Sequence, residues 1–272
     1  MQRRAMKELV RWKNKRNRKP LILKGARQVG KTWLMKEFGN RYFDRIAYVN
    51  FDSDSRMRNI FDQDYDISRI IRMINIETGV RIEPEKTLII FDEVQEAPKA
   101  ISSLKYFCEN APEYAVIAAG SLLGVSIHEG VSFPVGKVET IEIHPMSYGE
   151  FLTAMGEETL AGLIREKDYD AVNMFSDRYI HWLKLYYYIG GMPEAVNDYA
   201  ENGDIITVRE IQNEILKLYE NDFSKHTPDS ELPRIRMVWN SVPLQLAKEN
   251  KKFFFGQIRQ GARAKDFELA IE

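Results

Sequence analysis

Gly25-Ala26-Arg27-Gln28-Val29-Gly30-Lys31-Thr32 is the stretch on which the fold turns. It satisfies G-x-x-x-x-G-K-[ST] in full, follows the apolar run Leu21 to Lys24, and opens a helix-like segment, as such a loop requires. The glycines let the backbone curl so that its amides converge on phosphate oxygens, and the dipole of the following helix adds positive potential. Lys31 is then placed to contact the β- and γ-phosphates of a nucleotide, and Thr32 to ligate Mg²⁺. The candidate nucleotide-binding set is Gly25, Ala26, Arg27, Gln28, Val29, Gly30, Lys31 and Thr32, extended by Trp33.

A second element supports the first. Leu88-Ile89-Ile90-Phe91-Asp92-Glu93 is an apolar strand ending in two acids. A buried strand of this kind delivers Asp92 to the carboxyl edge of a sheet, where open α/β folds bind their ligands, and there Asp92 can hold Mg²⁺. Glu93 is the candidate general base, a role that needs a carboxylate within hydrogen-bond reach of the attacking water. With Lys31 it forms the expected catalytic pair. Ala115 to Ala119 ends in Gly120-Ser121, which makes Ser121 either a γ-phosphate sensor or a helix N-cap. Arg27 and Lys137 are weak candidates for the extra cation that phosphoryl transfer commonly uses.

Around these motifs, short apolar runs alternate with helix-like stretches from Pro20 to about Glu150. That alternation predicts an α/β domain, a parallel sheet with helices on both faces. Its expected strands are Leu21 to Lys24, Ile46 to Phe51, Leu88 to Phe91, Ala115 to Ala119 and Val138 to Ile143. Beyond Phe151 the apolar spacing turns helical, over Ala161 to Ile189 and Ile205 to Phe223. Gly190-Gly191-Met192-Pro193 predicts a turn. Arg234 to Glu272 reads as a helix interrupted at Pro243, an aromatic run at Phe253 to Phe255, and a further helix near Arg263, an order that fits the start of a helix-turn-helix unit. The expected organisation is a P-loop domain over 1–150, a helical region over 151–230 and the start of a helix-turn-helix unit over 231–272, the segment that the resemblance given below makes an incomplete winged helix. The last helix carries no stop signal, so a longer parent protein is expected.

Composition bounds the remaining classes. The chain has 272 residues, 44% apolar and 29% charged, which is ordinary for a globular protein. A formal net charge of -1 hides a basic start, with Arg3, Arg4, Lys7, Arg11, Lys13, Lys15, Arg16, Arg18 and Lys19 against Glu8. Met6, Leu9, Val10 and Trp12 give that start an apolar stripe, so a solvated amphipathic helix is the first reading and contact with nucleic acid or an acidic partner the second. No apolar run reaches membrane-spanning length and no signal-peptide h-region follows the basic start, which predicts a cytoplasmic protein with no membrane partner. Cys108 is the single cysteine, so no internal disulfide can form. His128, His144, His181 and His226 lack ligand spacing. Neither a GTPase N-K-x-D segment nor the serine-glycine-glycine signature of ABC transporters is present.

These motifs, with His144-Pro145-Met146-Ser147-Tyr148-Gly149-Glu150-Phe151 and Gly190-Gly191-Met192-Pro193-Glu194-Ala195, resemble the prokaryotic AAA+ superfamily ATPases of the AAA_14 type that carry a C-terminal domain of unknown function. The resemblance covers essentially the whole chain. It implies an additional-strand ATPase core, a helical segment and a winged helix, with ATP and Mg²⁺ as cofactors and ATP/ADP as ligands. It also implies DNA contact through the winged helix, and a second copy of the chain as a candidate partner. One departure is Gly136-Lys137, where the family carries Gly-Arg; lysine lacks the planar fork that suits an arginine finger. The expected function is a Mg-dependent ATP hydrolase acting as a conformational switch for an attached DNA-binding or effector part. The alternative is a nucleotide-gated module with negligible hydrolysis.

Overall fold

Five short apolar runs become the five strands of one sheet in the computed structural model, which describes residues 2–53, 55–120, 133–226, 228, 230–250 and 252–271. The strands are β1 (Leu21–Lys24), β2 (Arg45–Asn50), β3 (Thr87–Asp92), β4 (Ala115–Ala119) and β5 (Glu139–Glu142). All neighbouring pairs are parallel, in the order β2-β3-β4-β1-β5. β4 therefore lies between the strand that precedes the glycine-rich loop and the strand that ends in Asp92. The additional-strand arrangement expected from the sequence is present.

Strand alternation sorts the apolar side chains into two cores. On one face Ile22, Ile89, Phe91, Val116 and Ala118 pack with Met57 and Phe61 of α3 (Ser55–Gln63), Ile70 and Ile74 of α4 (Ile67–Thr78), and Ile101, Leu104 and Phe107 of α5 (Pro98–Asn110). On the other, Leu21, Leu23, Leu88, Ile90 and Ile117 meet Leu9 and Trp12 of α1 (Ala5–Lys13) and Leu34, Met35 and Phe38 of α2 (Lys31–Tyr42). β3 and β4 are buried along their whole length, as a sheet covered on both faces demands. The basic N-terminal segment is thus the amphipathic helix its apolar stripe predicted, with Leu9 and Trp12 inside and Arg4, Lys7 and Arg11 outside.

After β5 the described chain is helical: α6 (Tyr148–Ala154), α7 (Glu158–Glu166), α8 (Tyr169–Met174), α9 (Ser176–Ile189), α10 (Pro193–Asn202), α11 (Ile205–His226), α12 (Leu232–Leu246) and α13 (Glu268–Ile271). α6 starts where Ser147 and Glu150 form a reciprocal capping box, satisfying amides that the first turn leaves unpaired. α9 ends at Gly190, with φ of 79°, and α10 begins with Pro193 at its first position, so the expected turn is in place.

The chain divides into two compact units, Met1–Val208 and Arg209–Glu272. In the second, Tyr219 and Phe223 pack on Trp239, and the Gln245 side chain exchanges two hydrogen bonds with the backbone of Phe254, at 2.9 and 3.0 Å. The expected break at Pro243 does not occur, because α12 runs through it to Leu246. Pro243 sits in the last turn, where a missing N–H removes a single ladder bond. A winged helix is not shown: among the described residues no strand follows β5.

Candidate nucleotide site

Everything the two motifs contribute meets at the carboxyl end of the sheet. The loop leaves β1 at Gly25 and enters α2 at Lys31, with Gln28 at φ 63° and Gly30 at φ 84°. The second of these suits glycine, and it caps a helix whose first amides have no intrahelical partner. Gly25 lies so close to the segment after β5 that a Cβ there would stand 2.2 Å from the Ile143 carbonyl oxygen. Val29 is fully buried and belongs to the core that supports the loop. Such an N-terminus, with converging amides and the positive end of a helix dipole, fits a chain of phosphates.

The acid strand arrives opposite. The Thr32 hydroxyl donates to Asp92 Oδ2 at 2.7 Å, and the Tyr48 hydroxyl donates to the same oxygen at 2.9 Å. Asp92 Oδ1 accepts from the Glu93 amide at 3.1 Å, so a carboxylate only 3% exposed has a donor on each oxygen. A threonine hydroxyl and a carboxylate oxygen within bonding distance, 60 positions apart in sequence, form an oxygen donor set suited to Mg²⁺. No group of three or more His, Cys, Asp or Glu that could hold a metal without substrate oxygens occurs among the described residues. The residues therefore fit a metal completed by phosphate, the usual habit of Mg²⁺.

Lys31 arches back over its own loop, donating to the carbonyls of Gly25 at 2.9 Å and Ala26 at 2.7 Å. Burial pulls its amine below the ordinary value; the charges of Glu93 and Asp92 act against that, and Arg27 reinforces it. Lys31, Glu93, Asp92 and Arg27 thus share one electrostatic neighbourhood. Glu93 has a left-handed backbone, φ 54°, unusual for a residue with a Cβ and typical of functional sites. Its carboxylate accepts a short hydrogen bond from the side-chain amide of the buried Gln95.

Burial first, then the charge of Asp92 and the bond to it, push the Tyr48 phenol well above its usual range and keep it a donor. Tyr48 was picked out by no motif and Gln95 was assigned no role; both neighbour motif residues, through the β2–β3 register for Tyr48 and two positions after Glu93 for Gln95. Trp33 stands on α2, 42% exposed. Ser121 and His128 lie outside the described residues. Lys137 is exposed and paired with Glu109 at 2.8 Å.

The AAA domain family model matches residues 17–152, half of the chain. The chain belongs to the AAA_14 family of AAA domains. A second model, a domain of unknown function, DUF8612, matches residues 180–272. No curated protein matches. Among solved structures, the Walker-type ATPase PABY2304 of Pyrococcus abyssi is similar at a TM-score of 0.61 and 13% identity, over 98% of this chain and 86% of that one. The Drosophila ORC bound to DNA is similar at 0.43 and 14%, over 92% and 69%. The first of these agrees with the AAA fold at an identity that speaks for fold alone. The protein carries an AAA-type ATPase domain, and no helix among its described residues is long and apolar enough to cross a membrane.

Proposed function

We propose that this AAA domain binds Mg-ATP at the carboxyl end of its sheet and hydrolyses it. The observation that carries the reading is the hydrogen bond from Thr32 to Asp92, which brings the glycine-rich loop and the acid strand together at 2.7 Å. Amides of the loop and the Lys31 ammonium bind the phosphates, while Thr32 and Asp92 hold the metal. Bound Mg²⁺ supplies neutralisation of phosphate charge. Glu93 takes a proton from the attacking water, once its carboxylate exchanges the Gln95 amide for that water.

Two variants test this. Lys31→Ala loses Mg-ATP binding in calorimetry, and Glu93→Gln binds Mg-ATP while losing phosphate release. Unchanged binding and turnover in both would overturn the reading. A second reading, a nucleotide-gated module that barely hydrolyses, is favoured by Gln95 occupying Glu93 and by Glu109 occupying Lys137. Phosphate release from the wild-type protein separates the two. In this proposal turnover switches an attached DNA-binding or effector part; the DUF8612 match marks a second region beyond the AAA domain without assigning it a function.

A further inference from the structure

Arg3 departs from most of the basic N-terminal run, in which Arg18 is the other buried cation. Its neighbours Arg4, Lys7 and Arg11 are exposed, whereas the Arg3 side chain is 6% exposed. Its guanidinium makes three contacts with segments far away in sequence. Nη1 donates to the carbonyl of Val29 at 3.1 Å, Nη2 to the carbonyl of His144 at 2.6 Å, and Nε to Glu150 Oε1 at 3.2 Å. A buried guanidinium is costly unless paired and bonded, and here the pairing is complete enough to hold it.

The Val29 contact bears on the proposed site. In a trans peptide the carbonyl of one residue and the N–H of the next point in opposite directions within one plane. Fixing the Val29 carbonyl toward Arg3 therefore aims the Gly30 N–H away from Arg3. Gly30, with no Cβ and φ of 84°, offers little resistance of its own to rotation of that peptide. We infer that Arg3 is a positioning residue for the phosphate loop: it locks the Val29–Gly30 peptide so that the Gly30 amide stays turned toward the phosphates. This rests on the Mg-ATP reading above.

The lock is anchored as well as made. Glu150 accepts from Arg3, from the Arg4 amide at 2.8 Å, and from the Ser147 amide at 2.9 Å within the capping box of α6. The N-terminal strap, the glycine-rich loop and the start of α6 are thereby joined through one guanidinium and one carboxylate. Glu150 of the Ser147-Tyr148-Gly149-Glu150-Phe151 segment gains a role in this arrangement, as the counter-charge that keeps Arg3 in place.

The test is titration of the full chain with Mg-ATP, Mg-ADP and inorganic tripolyphosphate, alongside urea unfolding. Loss of one charge-assisted contact predicts about ten- to a hundredfold weaker binding of all three ligands to Arg3→Ala. Millimolar methylguanidinium restores part of that loss, and Arg3→Lys falls between, since an ammonium can reach one carbonyl but not three partners. Arg3→Ala binding as tightly as wild type overturns the inference. So does a loss of binding that follows the loss of cooperative unfolding in Arg3→Ala and Arg3→Lys alike with no rescue, because Arg3 would then only support the fold. Wild-type protein that binds none of the ligands refutes the Mg-ATP reading itself, a result distinct from either.

Discussion

Replacing Gly191 with alanine probes whether the turn after α9 is fastened to the segment that follows β5. Gly191 O accepts from the Met146 amide at 2.6 Å, and Met146 O accepts from the Tyr186 hydroxyl at 2.7 Å. A Cβ at residue 191 would stand 2.4 Å from Met146 O and 3.1 Å from Met146 N, against a floor near 3.0 Å for real Cβ contacts. Both obstacles are backbone, so relief requires the two segments to separate. Separation on that scale stretches the Gly191–Met146 bond out of range and disturbs the Tyr186 bond, each worth about 1 kcal/mol net. Strain adds roughly 1 kcal/mol, and the lower entropy of an unfolded alanine returns about 0.5 kcal/mol. The expected net loss is about 2.5 kcal/mol, read as a lower urea midpoint at unchanged slope. Mg-ATP binding weakens in parallel, because the Pro193 side chain, two residues on, lies 3.6 Å from where a Cβ on Gly30 would stand. A Gly191→Ala protein with wild-type midpoint and affinity refutes the close-approach reasoning.

Two further outcomes follow from the same geometry. Tyr48→Phe removes one donor from the buried Asp92 carboxylate and should cost about 1 to 2 kcal/mol, a melting point lower by several degrees; an unchanged melting point would show that water replaces the phenol without loss. Glu150 supplies a pH test: burial pushes its carboxyl up, but the amides of Ser147 and Arg4, the Arg3 charge and the Ser147 hydroxyl outweigh that and leave it below the ordinary 4.5. A carboxyl depressed on folding stabilises above its unfolded value and loses that contribution as pH falls through the folded one. Glu150→Gln should therefore be less stable than wild type at neutral pH, with a gap in urea midpoint that closes on the acid side of 4.5. A constant gap contradicts the assignment.

The fold was largely legible because each strand is a short apolar run bounded by polar or glycine-bearing segments. Strand ends were less legible than strand cores: Ile46 to Phe51, Leu88 to Phe91 and Val138 to Ile143 were expected, and β2 Arg45–Asn50, β3 Thr87–Asp92 and β5 Glu139–Glu142 are found, each differing by one residue at either end. Pro243 misled because a proline is a break in mid-helix but tolerable in a final turn, a distinction of register that spacing does not reveal. Within the candidate site, the meeting of Lys31, Thr32, Asp92 and Glu93 was legible because the roles proposed for them demand fixed spacing from a strand end. Tyr48, Gln95 and Arg3 were not. Tyr48 reads as an ordinary aromatic of an alternating strand, Gln95 as a polar residue after a motif, and Arg3 as one more solvated cation in a basic run. What gives each its partner is tertiary, with Arg3 and Glu150 separated by 147 positions.

Hydrogen bonds internal to the fold satisfy the polar groups of the candidate site. Thr32 bonds Asp92, Lys31 bonds two carbonyls of its own loop, and Gln95 bonds Glu93, so the polar groups proposed to serve Mg-ATP already have partners inside the fold. Nucleotide binding is then an exchange of hydrogen bonds, and its net strength depends on how much better the new partners are. For Lys31 the gain is Coulombic: ammonium bonds to neutral carbonyls give way to ion pairs with charged phosphate oxygens. The same negative charge raises the Lys31 pKa that burial lowers, so phosphate binding offsets the cost of burying its ammonium. For Glu93 no such gain exists, because one neutral partner replaces another when water takes the place of the Gln95 amide. Binding is therefore the step the architecture favours, and release of Glu93 the step left for turnover to overcome. Gln95→Ala, which removes the competing amide while leaving Glu93 in place, should accordingly raise phosphate release at saturating Mg-ATP with little change in affinity; a fall in release would mean that Gln95 holds Glu93 ready rather than holding it back.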